Sequence, residues 1–157
     1  MKNLKLKAAV FAVCACVLSA AMLTGCGLES KAIAVFEQEV DTGVAMAESS
    51  MVYYFFEDNT WELTAKAKAL LTTKEIPMYA GTYTCLSGTV TAGDATLELI
   101  KTKEVEDIEV ESIADAFVLA FSTPKLVELT PDQYVTKTGY STNEYFTIDS
   151  NTFKRTK

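Results

Sequence analysis

Short apolar or alternating runs separated by turn chemistry dominate the chain, and sustained 3.6-residue periodicity is scarce, which predicts a mostly β protein. The clearest period-2 pattern covers residues 61–69, where Trp61, Leu63, Ala65, Ala67 and Ala69 alternate with Glu62, Thr64, Lys66 and Lys68. One face of that strand is apolar and the other mostly charged. Leu63, Ala67, Leu70 and Leu71 also share a helical face, with Glu62 spaced to pair with Lys66, so a helix over 63–71 competes with the favoured strand. Upstream, residues 32–36 form a first apolar run. In a second run Val52, Tyr53, Tyr54, Phe55 and Phe56 demand cover on both faces. Glu57-Asp58-Asn59-Thr60 joins it to the alternating strand as a tight turn, because Asp and Asn tolerate left-handed backbone angles and bond their own backbone.

Pro77 is expected to end whatever precedes it, after which residues 79–86 place Tyr79, Gly81, Tyr83 and Cys85 on one face, Gly81 marking a bend. Ser87-Gly88 and Gly93-Asp94 are turn pairs, and residues 96–101 direct Leu97 and Leu99 inward. Further strands are predicted at 108–113, 117–121, 126–129, 145–148 and 152–155, punctuated by Pro124, Pro131 and Gly139, with 138–143 read as a loop. Strands at about ten-residue spacing indicate an all-β domain, an antiparallel sandwich or a closed barrel of about eight strands.

The first 25 residues stand outside this grammar. Lys2, Lys5 and Lys7 form a basic start, and residues 8–23 an apolar run with one hydroxyl, Ser19. As a helix that run reaches about 24 Å, short of the ~30 Å hydrocarbon core of a bilayer, so it fits a signal sequence better than a spanning helix. Leu23-Thr24-Gly25-Cys26 closes it and resembles a bacterial lipobox. The resemblance implies a diacylglyceryl group on the Cys26 thiol, removal of residues 1–25, and a membrane anchor of two or three acyl chains. The expected address is the cell membrane or the outer membrane, facing periplasm or exterior. Gly27 is compatible with outer-membrane sorting. Residues 26–32 are then a lipidated tether, of which 27–31 spans at most ~18 Å when extended, and 33–157 a single domain.

Removing the signal leaves 11 basic and 21 acidic residues, a net charge of −10 against −7 for the whole sequence. That balance argues against nucleic acid and against an electrostatic hold on anionic lipid, leaving the acyl chains as the expected membrane contact. Of four cysteines only Cys85 would remain unmodified, and its strand-like setting predicts a buried, inert thiol. No intramolecular disulfide is then available.

Tyr54-Phe55-Phe56-Glu57-Asp58-Asn59-Thr60-Trp61, then Gly81-Thr82-Tyr83-Thr84, Thr96-Leu97-Glu98-Leu99 and the closing stretch from Phe146 to Phe153, resemble the small lipocalin-like (calycin-like) barrels of bacterial lipoproteins. Asn59 stands where glycine is usual in that family, and residues 89–95 lengthen a hairpin. The resemblance implies inward aromatics around a small apolar or amphipathic ligand, for which Tyr54, Phe56, Trp61, Tyr83 and Phe117 are the candidates. Packing is the alternative role for these rings, since barrels of this size are also filled by their own side chains.

The sequence has no histidine, which removes Ser-His-Asp and Cys-His machinery, histidine-ligated zinc and imidazole proton shuttles. Its carboxylates are scattered over turns and solvent-facing positions, and no phosphate loop, CxxC pair or EF-hand loop occurs. No enzyme activity, cofactor or metal is expected. Glu104, Glu106, Asp107, Glu109 and Glu111 could gather a hard cation, but strand alternation divides them between faces and favours a solvated surface. Two function classes remain: a carrier of an apolar ligand, and a monomeric module recognising an envelope or host protein through exposed tyrosines such as Tyr140. Labelled palmitate is expected on the wild-type chain and not on Cys26→Ala, which should leave the membrane fraction. A variant that stayed membrane-bound without label would refute the anchor.

Overall fold

The computed structural model describes residues 27–41, 47–69, 72–106 and 124–157. After a single helical turn, α1 (Leu28–Lys31), nine strands follow among these residues: β1 (Ala34–Val40), β2 (Ala47–Phe55), β3 (Thr60–Ala69), β4 (Thr72–Ser87), β5 (Ala95–Val105), β6 (Leu126–Glu128), β7 (Val135–Ser141), β8 (Tyr145–Ile148) and β9 (Asn151–Arg155). Every pairing between them is antiparallel. The order β4-β3-β2-β1-β9-β8-β7-β5 closes on itself through β4–β5, making an eight-stranded barrel, with β6 added beside the far end of β5.

The β2–β3 hairpin forms where expected, and Asn59 takes the left-handed angle (φ 61°) that its side chain tolerates at low cost. Asp58 fastens the turn by accepting from the Thr60 amide at 3.1 Å and its hydroxyl at 2.6 Å. Residues 63–69 are strand, so alternation prevails over the competing helical spacing, and residues 70–71 lie outside the described residues. Two expectations fail locally. Strand β4 runs through Pro77, because a bulge leaves Met78 unpaired between Tyr79↔Leu63 and Pro77↔Thr64 and absorbs the missing N–H. Residues 135–141 form β7 and not a loop: Gly139 is a buried contact point, where an added Cβ would lie 2.5 Å from the Phe146 ring. The strands expected at 108–113 and 117–121 lie outside the described residues.

Period-2 alternation sends Ala34 and Phe36 (β1), Tyr53 and Phe55 (β2), Trp61 and Leu63 (β3), Tyr83 (β4), Leu97 and Leu99 (β5), Phe146 and Ile148 (β8) and Phe153 (β9) into one core. Its rings meet edge-on or tilted except for Tyr53 and Phe55, which stack at 6.2 Å: Phe146 lies 5.2–5.5 Å from Tyr53, Phe55 and Phe36, and Tyr53 4.9 Å from Phe153. Met51 and Tyr79 join this core to a smaller cluster of Ala65, Ala67, Ile76 and Met78 toward the other end of the barrel. Gly81 permits the tight crossing of β4 and β5, since a Cβ there would stand 1.8 Å from the Ile100 carbonyl oxygen, at a register shift between Ala80 and Gly81. Truncating Phe146 to alanine should cost roughly 3–5 kcal/mol, read as a lowered urea midpoint with little change in slope. A loss below about 1 kcal/mol would mean that the ring cluster does not carry the core.

Candidate functional site

Strand parity separates the five ring residues expected around a ligand. Tyr53 and Phe55 point inward, so Tyr54, between them, faces out beneath α1, packed with Ala32, Val35 and Val52, and Phe56 lies against the same outer cluster. Trp61 and Tyr83 are in the barrel core at 5–6% exposure. Each has its polar atom satisfied at the end of the barrel: Trp61 Nε1–H donates to the Thr82 carbonyl at 3.0 Å and Tyr83 O–H to that of Phe56 at 3.0 Å. Phe117 lies outside the described residues. The five therefore form no common lining among the described residues. Consecutive aromatics in β2 made the inward register unreadable from that run alone.

A cavity large enough for a ligand would leave its walls accessible to water-sized spheres. In the main core, Phe36, Phe55, Leu97 and Phe146 have no exposed surface, and burial raises the Tyr53 hydroxyl well above its ordinary pKa. This half of the barrel is packed with its own rings. The part of the interior beside Val105 is walled differently, by Ala65, Ala67, Ile76 and Met78, with Met51 against them.

Arg155 was not singled out by its sequence context, although counting two residues on from inward Phe153 would have placed it. Its guanidinium lies 4.6 Å from the Phe36 ring centre. It donates to the carbonyls of Val90 (2.6 Å), Thr142 (3.3 Å) and Lys157 (3.4 Å), tying the β4–β5 loop and the β7–β8 turn to the end of β9. Burial lowers its pKa. Cys85 is exposed, contrary to the expected buried thiol: it is the last residue of the regular β4–β5 ladder before the register shifts between Cys85 and Ser87.

The outer face of β1–β4 carries a polar cluster. Tyr54 O–H donates to Glu75 (3.3 Å), Thr64 O–H to Glu62 (3.2 Å) and Ser50 O–H to Glu37. Burial is the main cause that raises the carboxyls of Glu62 and Glu75; Lys66 and the Tyr54 hydroxyl partly offset it at Glu75, while Glu29 and Glu37 add to it. No group of three acidic or thiol ligands suited to a metal occurs among the described residues. In the acidic stretch near β5, Glu104 pairs with Lys101 at 2.7 Å, and Asp107, Glu109 and Glu111 lie outside the described residues. On the opposite wall Tyr140 and Tyr145 are 49% and 44% exposed, and Leu86 on β4 is 58% exposed. Thr96 pairs with Tyr140 and Tyr140 with Thr147, two residues from Tyr145, so the two tyrosines are diagonal neighbours on one surface.

No protein-family model, curated protein or solved structure matches the chain. The closed eight-stranded antiparallel barrel is consistent with a calycin-like fold. It rests on the geometry alone.

Because Glu62 and Glu75 hold their protons more tightly when folded, their contribution to stability is full below the unfolded carboxyl value of about 4.3 and fades as pH rises through the raised folded values. Acidifying from neutrality should thus favour the native state at these two groups. The Glu62→Gln/Glu75→Gln variant should gain stability over wild type at pH 7, and the gain should shrink by pH 5 in parallel urea titrations. A gap that widened on acidification would contradict the burial of these carboxyls.

Proposed function

We propose that this chain is a lipid-anchored, non-enzymatic protein of the bacterial cell envelope, held through Cys26, that recognises a partner protein with the outer wall of its barrel. The supporting observation is a contrast: the core rings are sealed from solvent, while Tyr140 (49% exposed) and Tyr145 (44%) stand together outside on β7 and β8. Tyrosines supply large amphipathic contact area at small entropic cost, and threonine hydroxyls of Thr96 and Thr147 beside them offer hydrogen bonds. Single apolar side chains on a surface are ordinary, whereas a cluster across neighbouring strands is the pattern of a recognition site. The lipid anchor rests on the lipobox resemblance.

A second reading keeps the small apolar or amphipathic ligand. Ala65 and Ala67 give the second cluster small walls, and Met51 and Met78 are adaptable fillers, so a ligand would enter that half and not the ring-filled half. The two readings part in one set of measurements. A photo-crosslinker placed at residue 138, beside Tyr140, should capture one partner in intact cells, and Tyr140→Ala/Tyr145→Ala should weaken that complex by ~30-fold or more. Undiminished capture by the double variant, together with a co-purifying apolar molecule that Ala67→Phe expels in native mass spectrometry, would replace the surface reading by the carrier.

A further inference from the structure

The helical turn α1 fixes where the chain ahead of Gly27 leaves the barrel. Its residues do not stretch away from the strands. Ser30 O–H donates to the Gly27 carbonyl at 3.1 Å, the Ala32 amide to that of Leu28 at 3.0 Å, and the Lys157 ammonium to that of Glu29 at 2.7 Å. The Ile33 amide extends the β1–β2 ladder by donating to the Phe55 carbonyl at 2.8 Å, and from there α1 doubles back along the outside. Leu28 packs against the cluster of Ala32, Val35, Val52 and Tyr54, and Glu29 lies within electrostatic reach of Glu75. Four residues that would reach ~14 Å when extended therefore advance only ~6 Å. The tether expected to hold the barrel away from its anchor is folded onto the outer wall of β1 and β2.

We propose that the outer wall of β1–β3 is the face set against the lipid headgroups, so that the barrel lies on its side and turns its tyrosine wall to the aqueous phase. This rests on the lipid anchor proposed above. Cys26 is joined directly to Gly27, which places an acylated cysteine one Cα step, ~3.8 Å, from the wall-bound turn. Around the barrel β2 stands four places from β7 and β3 four places from β8, each halfway round the eight-strand circuit. Eight tilted strands ~4.8 Å apart put opposite walls roughly 15 Å apart, backbone to backbone. Charge does not draw this wall to the bilayer, since Glu29, Glu37, Glu62 and Glu75 outnumber Lys31 and Lys66 on it. Inserted acyl chains supply the attraction, and α1 decides which side follows them. A protein that binds Tyr140 and Tyr145 must then approach from the water, and one embedded in the same bilayer is out of reach.

The test uses the chain purified from bacterial membranes and placed in phosphatidylcholine nanodiscs that carry a gadolinium chelate on a fraction of the headgroups. Paramagnetic relaxation falls steeply with distance, so the amides of Ser30, Glu37, Ser50 and Thr64 should relax about tenfold faster than those of Thr138, Tyr140 and Thr147 across the barrel. Leu28→Asn loosens α1 and should bring that ratio close to one while the Phe146 resonances stay in place. Even relaxation of both walls in the wild type, a maximum at the tyrosine wall or at either end of the barrel, or an unchanged ratio in Leu28→Asn would overturn the proposal. Intact mass separates this failure from that of the anchor. A chain without acyl mass refutes the anchor and the orientation together, whereas an acylated chain with even relaxation refutes the orientation alone.

Discussion

Ring packing inside a closed ladder is the constraint on which the rest depends. Phe36, Tyr53, Phe55 and Phe146 come from the paired strands β1 and β2 and from β8, which reaches them through β9, and they contact one another at 5.2–6.2 Å between ring centres. Closure gives these rings a common interior, and the rings give closure its stabilising burial. A smaller side chain at any of them leaves a void that a hydrogen-bonded cylinder cannot readily collapse to fill. The same packing explains Gly139 and Gly81, whose missing side chains let Phe146 and the Ile100 backbone come close.

The ladder also decides what the outside can do. Once Tyr53 and Phe55 fill the core, Tyr54 must face out, where α1 covers it and Glu75 accepts its hydroxyl proton. On the opposite wall the same parity leaves Tyr140 and Tyr145 uncovered. One barrel thus has a sheltered wall with buried polar groups and an open wall with exposed rings. The cations around Arg155 occupy the end between them, and the three regions are chemically distinct although all arise from one alternation.

Much of this was legible in residue order wherever polar and apolar positions alternate cleanly. Trp61 to Ala69 gave its strand, its inward face and its hairpin partner, and Leu97 with Leu99 gave theirs. Legibility fell where alternation was absent or locally displaced. Five large residues in a row, Val52 to Phe56 at the end of β2 and just past it, hid which ones face inward, and the bulge at Met78 concealed that one strand passes Pro77. Strand β7 was obscured because Thr136, Thr138 and Tyr140 are exposed and its inward contact is made by a glycine. The ligand lining was the least legible element, since a ring that fills a barrel and a ring that lines a cavity look alike in sequence. Arg155 illustrates the converse: a charge at a strand end reads as solvated until the loops that wrap it are known.

The seam between the first and last strands has a mechanical meaning. Strand β1 shares seven residue pairs with β2 but only two with β9, supplemented by main-chain bonds from Val35 to Thr156 and Lys157. The turn of α1 directly precedes that seam, with Leu28 packed on the outer wall. Any pull on the chain ahead of Gly27 therefore enters the barrel at its thinnest join. The one-turn helix and the grip of Lys157 on the Glu29 carbonyl act as a strain relief, taking up load before β1 can be peeled from β9.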